Sequence, residues 1–502
     1  MSATAEHLLT LQEDNLPPGW TLATIEGLVG KGGVFIDGDW VESKDQDPEG
    51  DVRLIQLADV GDGEYRNKSA RFLTYERAIQ LGCTFLQKGD VLIARMPDPL
   101  GRACIFPGDT KPAVTVVDVA VVRSAAGEFN HRWLMYFVNA PAFRAVVASM
   151  QSGSTRKRIS RGNLAKIALP VPPLDQQKHI VAEIEKQFSR LDEAVANLKR
   201  VKANLKRYKA AVLKAAVEGR LVETEAEIAR REGRDYETGA QLLQRIIETR
   251  RSQWLVPGRG KRKGNYKEPA APDTADLPES PEGWVWARLD AIAALKGGIT
   301  VDSKRKDSTA RLVPYLRVAN VQRGYIDLTE VKFIVAPESD IKELRLQRDD
   351  ILFNEGGDRD KLGRGWIWEG QLADCIHQNH VFRARLFLSE VCSKLVSWWG
   401  NSFGKDYFLR KGKQTTNLAS INLTKLSAFP VPLAPAAEQI RLVSEVDRRL
   451  SLVTEVEAQV DANYKRAERL RQSILSNAFS GQLLGVEHPV ASAGSKLASR
   501  SV

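Results

Sequence analysis

No stretch of this sequence approaches the roughly 18 consecutive apolar residues that a membrane span requires. The opening MSATAEHLLT has neither the basic start nor the apolar run of a secretion signal. A cytoplasmic protein with no membrane partner is therefore expected. Cysteine is scarce: Cys83, Cys104, Cys375 and Cys392 are scattered without paired spacing, so reduced thiols are expected in place of a disulfide frame. Catalytic signatures are missing as well. There is no GxxxxGKS/T phosphate loop, no DPPY-like or NPPF-like amino-methylation tetrapeptide and no tight cluster of carboxylates with lysine. Glu330-Val331-Lys332 has the Glu-x-Lys spacing of a nuclease fragment, but no acidic partner stands suitably upstream, and it reads as a solvated strand end. Gly30-Lys31-Gly32-Gly33 lacks the helix that a dinucleotide fingerprint needs directly after it and reads as a turn. Cys375, His377 and His380 carry zinc-ligand chemistry without a fourth ligand beyond Asp374, and Thr115–Ala120, the matching stretch of the first half, has none of the three. No metal is expected.

What is present is a chain written twice. In 502 residues, too many for one ordinary core, Pro18-Gly19-Trp20 returns as Glu282-Gly283-Trp284. Lys31-Gly32-Gly33 returns as Lys296-Gly297-Gly298, and Leu54–Val60 is answered by Tyr315–Val321. Leu86–Leu92 is answered by Leu346–Leu352, and Leu100-Gly101-Arg102 by Leu362-Gly363-Arg364. Each half reaches a proline stop, Pro170-Val171-Pro172-Pro173 and Pro430-Val431-Pro432-Leu433, beyond which short strand-like runs give way to helical periodicity. The run Ala113–Val122 reads as strand, Trp133–Phe143 and Val391–Trp399 as short helices. Mixed α/β heads follow.

Beyond the first stop, Ile184, Leu191, Leu198, Leu205 and Val212 fall seven apart. Val446, Val453, Val460, Ala467 and Ile474 repeat this 262 residues later. Phe188, Val195, Val201 and Tyr208, with Leu450, Val456, Tyr464 and Leu470, widen the stripe. Gly219 and Gly481 stop the two helices. Two such helices lying antiparallel would relate their heads by an approximate two-fold, a symmetry that duplex DNA shares. The expected division is a tail (1–16), a head (17–174), a long helix (175–222), a charged linker with a short helix around Gln241–Arg250 (223–280), a second head (281–434), a second long helix (435–484) and a flexible tail (485–502).

Lys and Arg number 73 against 63 Asp and Glu, a net charge of +10, which favours a polyanionic partner. The basic groups cluster. Arg156, Lys157, Arg158 and Arg161 precede the first proline stop; Arg410, Lys411 and Lys413, with Gln414 and Thr415, stand near the matching place in the second half. Arg66, Lys68, Arg95 and Arg102 add to the first head, and Lys304, Arg305, Lys306, Arg359, Lys361 and Arg364 to the second. These are the candidate DNA-binding residues, because cations that neutralise phosphates supply most sequence-independent affinity. The run Arg259–Lys263 reads as a solvated loop.

The order head, heptad helix, head, heptad helix resembles the specificity subunits of Type I restriction-modification systems. The resemblance covers nearly the whole chain: GW opens both heads, Gln177 and Glu438-Gln439 follow the proline stops, and Gly219-Arg220-Leu221-Val222 closes the first helix. It implies two target recognition domains, each reading half of a bipartite double-stranded DNA site, separated by antiparallel helices that form a coiled-coil spacer and dock two methyltransferase (M) subunits. It also implies a chain that is not an enzyme by itself and has no cofactor. S-adenosylmethionine, ATP and Mg would belong to the M subunits and to the motor-nuclease (R) subunits. The competing expectations are a self-contained nuclease or DNA methyltransferase with unfamiliar motifs, and a coiled-coil scaffold whose basic patches meet something other than DNA.

Overall fold

A computed structural model describes residues 16–483 except 98, 126, 154–155, 256–264, 276, 301–307, 358–361, 412 and 415–418; for 357, 405, 411, 413, 414 and 419 it describes the backbone only. The expected tails, 1–16 but for Leu16 and 485–502 throughout, and the run 259–263 lie outside the described residues. The chain forms two compact units, one comprising the residues up to Arg200 with those from Val460 onward, the other Val201–Gln459.

The first unit runs β1 (Thr21–Thr24), α1 (Ile25–Val29), β2 (Val34–Asp37), β3 (Val52–Ile55), β4 (Phe72–Leu73), α2 (Tyr75–Gln80), β5 (Val91–Ala94), β6 (Ala103–Ile105), β7 (Ala113–Thr115), β8 (Val119–Arg123), α3 (His131–Val138), α4 (Pro141–Ser149), α5 (Arg161–Ala165), β9 (Ala168–Val171) and α6 (Leu174–Val217), which continues into the second unit. β1 pairs antiparallel with β9, Thr21 opposite Val171, so the chain enters and leaves the head on one ribbon. Between them stand a four-stranded sheet in the order β2-β8-β5-β6 and a three-stranded sheet β4-β3-β7. β5, Val-Leu-Ile-Ala, is buried at every position, as a central strand covered on both faces must be.

The second unit repeats this plan after two helices, α7 (Glu225–Glu232) and α8 (Gly239–Leu255). It continues with β10 (Val285–Arg288), α9 (Leu289–Ile292), β11 (Ala293–Lys296), β12 (Arg311–Leu316), β13 (Lys332–Ala336), α10 (Glu338–Leu344), β14 (Ile351–Asn354), β15 (Gly356–Gly357), β16 (Gly365–Ile367), β17 (Ile376–His377), β18 (Val381–Leu386), α11 (Ser393–Lys411), β19 (Lys413–Gln414), β20 (Ala419–Ser420), α12 (Leu423–Ser427), β21 (Pro430–Leu433) and α13 (Ala436–Phe479). β10 pairs with β21, and the sheets β11-β18-β14-β16 and β13-β12-β17 match those of the first unit strand for strand. A small ribbon, β15-β20-β19, is added.

Several expectations need correction. Ala113–Val122 is not one strand: β7 joins the three-stranded sheet and β8 the four-stranded one, with a turn closed by Val119 N–H donating to the Val116 carbonyl at 2.9 Å. Trp133–Phe143 breaks into α3 and α4 because Pro141 forces Ala140 into extended backbone, ψ 149°. Residues 223–280 are not merely a linker with one short helix. Thr224 and Glu227 form a capping box that starts α7, and Leu242 and Ile246 of α8 join the core of the second unit.

The helices α6 and α13, 44 residues each, meet as expected. In the first unit Ile184 and Phe188 share a core with Leu475 and Ala478, and in the second Val212 shares one with Leu442 and Val446. Rising numbers on one helix meet falling numbers on the other, so the pairing is antiparallel within each unit. Ile184, Val212, Val446, Val453, Val460 and Ala467 are buried, while Leu191, Leu198, Leu205 and Ile474 are half-buried. The seam is narrower than expected, since Val201, Tyr208, Val456 and Leu470 remain exposed.

Candidate nucleic-acid interface

Each head is fastened to its helix by the same polar latch. Trp20 Nε1 donates to Gln176 Oε1 at 2.9 Å, and Gln177 Oε1 accepts from Asn130 N–H while its amide donates to the Pro172 carbonyl. In the second unit Trp284 donates to Glu438 at 2.8 Å, and Gln439 bridges Cys392 N–H and the Ala434 carbonyl. Inside the heads, Asp90 clamps Arg123 as Asp350 clamps Arg385. Asn139 holds both backbone groups of Ala103 as Asn401 holds those of Gly365. Such satisfied buried networks fix one packing for each head.

On this frame, two loops are stapled together in each unit. In the first, Ile159 N–H donates to the Arg95 carbonyl at 3.0 Å, binding the loop after β5 to a hairpin in which Ser152 and Arg158 exchange backbone hydrogen bonds. In the second, Ile421 N–H donates to the Glu355 carbonyl at 2.8 Å, binding the loop after β14 to the ribbon β15-β20-β19. The donors are 262 residues apart, the same shift as the helical seam. Arg156, Lys157 and Arg158 lie exposed on the first hairpin. Arg410 is exposed at the end of α11, just before β19, and the backbone of Lys411, Lys413 and Gln414 continues onto that ribbon. Residue type and spacing alone did not expose this pairing of loops. The sequence signal is that both basic clusters stand shortly before a proline stop of the repeat.

The remaining candidates separate. Arg66 and Lys68 are exposed between β3 and β4. Arg161 is half-buried, bonded to the Phe35 carbonyl at 3.0 Å. Arg102 is only 4% exposed and its guanidinium is committed to the carbonyls of Val60, Leu57, Met96 and Pro99. Arg95 is similarly enclosed by the Ile159 and Val117 carbonyls and by Asp37 at 3.1 Å. Arg364 is half-buried and donates to the Val318 carbonyl at 3.3 Å. Arg102 and Arg95 serve as internal braces, because a guanidinium engaged by carbonyls on several sides has little left to offer a phosphate. Lys304, Arg305, Lys306, Arg359, Lys361 and Thr415 lie outside the described residues, as do the side chains of Lys411, Lys413 and Gln414.

Among the described residues no cluster of three His, Cys, Asp or Glu could hold a metal. Burial pushes the His377 imidazole down to about 4 and the Cys375 thiol up to about 12. His377 Nδ1 faces the Val381 carbonyl, while His380 turns to Glu355. Among the described residues, no helix is long and apolar enough to cross a membrane.

Comparisons with known proteins agree with this architecture. Residues 19–207 match the Type I restriction modification DNA specificity domain. The chain is 22% identical over 353 residues to the Type I restriction enzyme EcoKI specificity subunit of Escherichia coli, covering 70% of this chain and 65% of that one. It is 24% identical to the EcoBI specificity subunit, covering 74% and 70%. A solved chain from a type I R-M system superposes with a TM-score of 0.57 at 17% identity over 93% of this chain and 99% of that one. The HsdS subunit from Thermoanaerobacter tengcongensis does so with a TM-score of 0.50 at 16% identity, over 93% and 98%. The match to the Type I restriction modification DNA specificity domain thus takes in the first head and most of the helix that follows, and the second half of the chain repeats the same plan.

Proposed function

We propose that this chain is the DNA-reading, non-catalytic subunit of a Type I restriction-modification enzyme. Each head engages one half of a bipartite interrupted site, while the paired helices set the interval and dock two methyltransferase subunits. S-adenosylmethionine, and the ATP and Mg needed by motor-nuclease subunits, would be bound by those partners. The observation that carries the reading is the duplicated pair of stapled loops, each with a cluster of cations on or beside it. Arg66, Lys68, Arg156, Lys157, Arg158 and Arg410 are the described residues that would face DNA; Lys304–Lys306, Arg359, Lys361, Lys411, Lys413, Gln414 and Thr415 would join them.

The test is selection from a random duplex pool by the chain co-expressed with the methyltransferase subunit, together with the mass of the complex. Two short conserved blocks at a fixed interval, and two methyltransferase copies per chain, are expected. Sequence-blind binding with no partner, or turnover by the chain alone with magnesium and S-adenosylmethionine, would overturn it.

A further inference from the structure

The long helix α6 carries a charge pattern that its fold does not require. Residues 194–217 hold seven cations, Lys199, Arg200, Lys202, Lys206, Arg207, Lys209 and Lys214, and no acid. The equivalent residues of α13, 456–479, hold four cations (Lys465, Arg466, Arg469 and Arg471) and three acids (Glu457, Asp461 and Glu468). Both helices keep the same apolar seam, so neither helix formation nor the seam requires the run to be free of acids.

Within the second unit, Lys202, Lys206, Arg207 and Lys214 are exposed. At 100° per residue they span an arc of about 140° turned away from Leu205 and Val212, with Ala203 and Ala210 in its middle. Arg207 is steadied by Asn204, a neutral group that leaves its charge uncompensated. Lys214 stands 3.9 Å from Glu218, at the edge of ion-pair range. Lys209, nearer the seam, reaches across to α13, pairing with Glu457 at 2.7 Å. From Lys202 to Lys214 the helix rises about 18 Å, the length of roughly five base pairs, and the small alanines permit close approach.

We propose that this face of α6 binds the phosphate backbone of duplex DNA without regard to sequence, along a part of the duplex that neither head reads. The idea rests on the DNA-reading function above, and deepens it.

The test compares the full chain with its Lys206→Gln/Arg207→Gln/Lys214→Gln variant on a random-sequence duplex of about 40 base pairs and on the selected site. Three lost phosphate contacts should lower the slope of log affinity against log salt by about 2–3. Preference among sequences should stay unchanged, and Lys206→Arg/Lys214→Arg should keep the original slope. An unchanged slope in a variant that melts like the parent overturns the proposal. So does loss of methyltransferase co-purification at unchanged slope, which would assign the face to a protein partner. A reduced slope in a chain with no sequence preference sustains this face while sinking the specificity reading. If the triple variant does not fold, Lys206→Gln alone should lower the slope by about 0.9.

Discussion

Arg102 and Arg156 are the same letter in opposite surroundings, the first buried and the second exposed. Arg102→Met would orphan the carbonyls of Val60, Leu57, Met96 and Pro99 inside the first head. A loss of about 2–4 kcal/mol in denaturant-measured stability is expected. The triple exchange of Arg156, Lys157 and Arg158 to Gln, on an exposed hairpin, should leave the melting temperature nearly unchanged and weaken DNA binding at low salt. The sequence placed Arg102 correctly opposite Arg364 in the repeat, yet could not show that the Arg102 guanidinium is enclosed, because desolvation is set by loops distant in the chain. A second residue-scale test concerns the turn before β5. Gly89 has φ +100° and its counterpart Asp349 has φ +69°. A Cβ at Gly89 would meet nothing nearer than His131 Nδ1 at 3.6 Å, so the strain of Gly89→Ala is conformational. About 1 kcal/mol of destabilisation is expected, with Gly89→Asp milder, since short polar side chains tolerate the left-handed region.

At the scale of elements, the seam and the proline stops were legible because heptad spacing and proline act locally. The docking of α7 was not, because it depends on a carboxylate 213 residues away in sequence. Glu438 Oε2 accepts the Glu225 N–H at 2.8 Å while Oε1 holds Trp284, so one side chain fastens both the head and α7. Gln176 has only the tryptophan to hold. Glu438→Gln should therefore keep the head latched and release α7, read as faster proteolysis within 223–238 at little change in Trp fluorescence. Glu225 is itself clamped by Arg234 and by Arg441 at 2.5 Å. Although burial opposes it, the two guanidinium groups hold its carboxyl below the usual range. Its contribution is thus complete above the unfolded carboxylate value, about 4.3, and is lost as pH falls through the lowered one. Burial raises the Glu438 carboxyl, so that group acts oppositely: its contribution is complete below the unfolded value and fades as pH rises. Hydrogen exchange of α7 in Glu225→Gln should accordingly lose the acid-side dependence seen in the parent chain.

For the whole molecule, the decisive feature is that each head is a closed excursion from one ribbon. Thr24 pairs with Ala168 across β1 and β9, and Arg288 with Pro430 across β10 and β21. Both ribbons abut the same tryptophan latch, and both heads share their sheet order, so what lies between the ribbons is exchangeable on physical grounds. Residues 289–429 set between β1 and β9 in place of 25–167 would meet the same backbone spacing and the same helix beneath, with the Gln177 bond to Asn130 replaced by its equivalent at Cys392. The resulting chain should fold, with a single cooperative melting transition. Selection from a random duplex pool should return a site built twice from the half that the second head reads, and nothing of the half read by the first. A chimaera that folds yet retains the parental pair of half-sites would show that specificity resides outside the heads, in the helices or in 223–280, and the division of labour proposed here would fail.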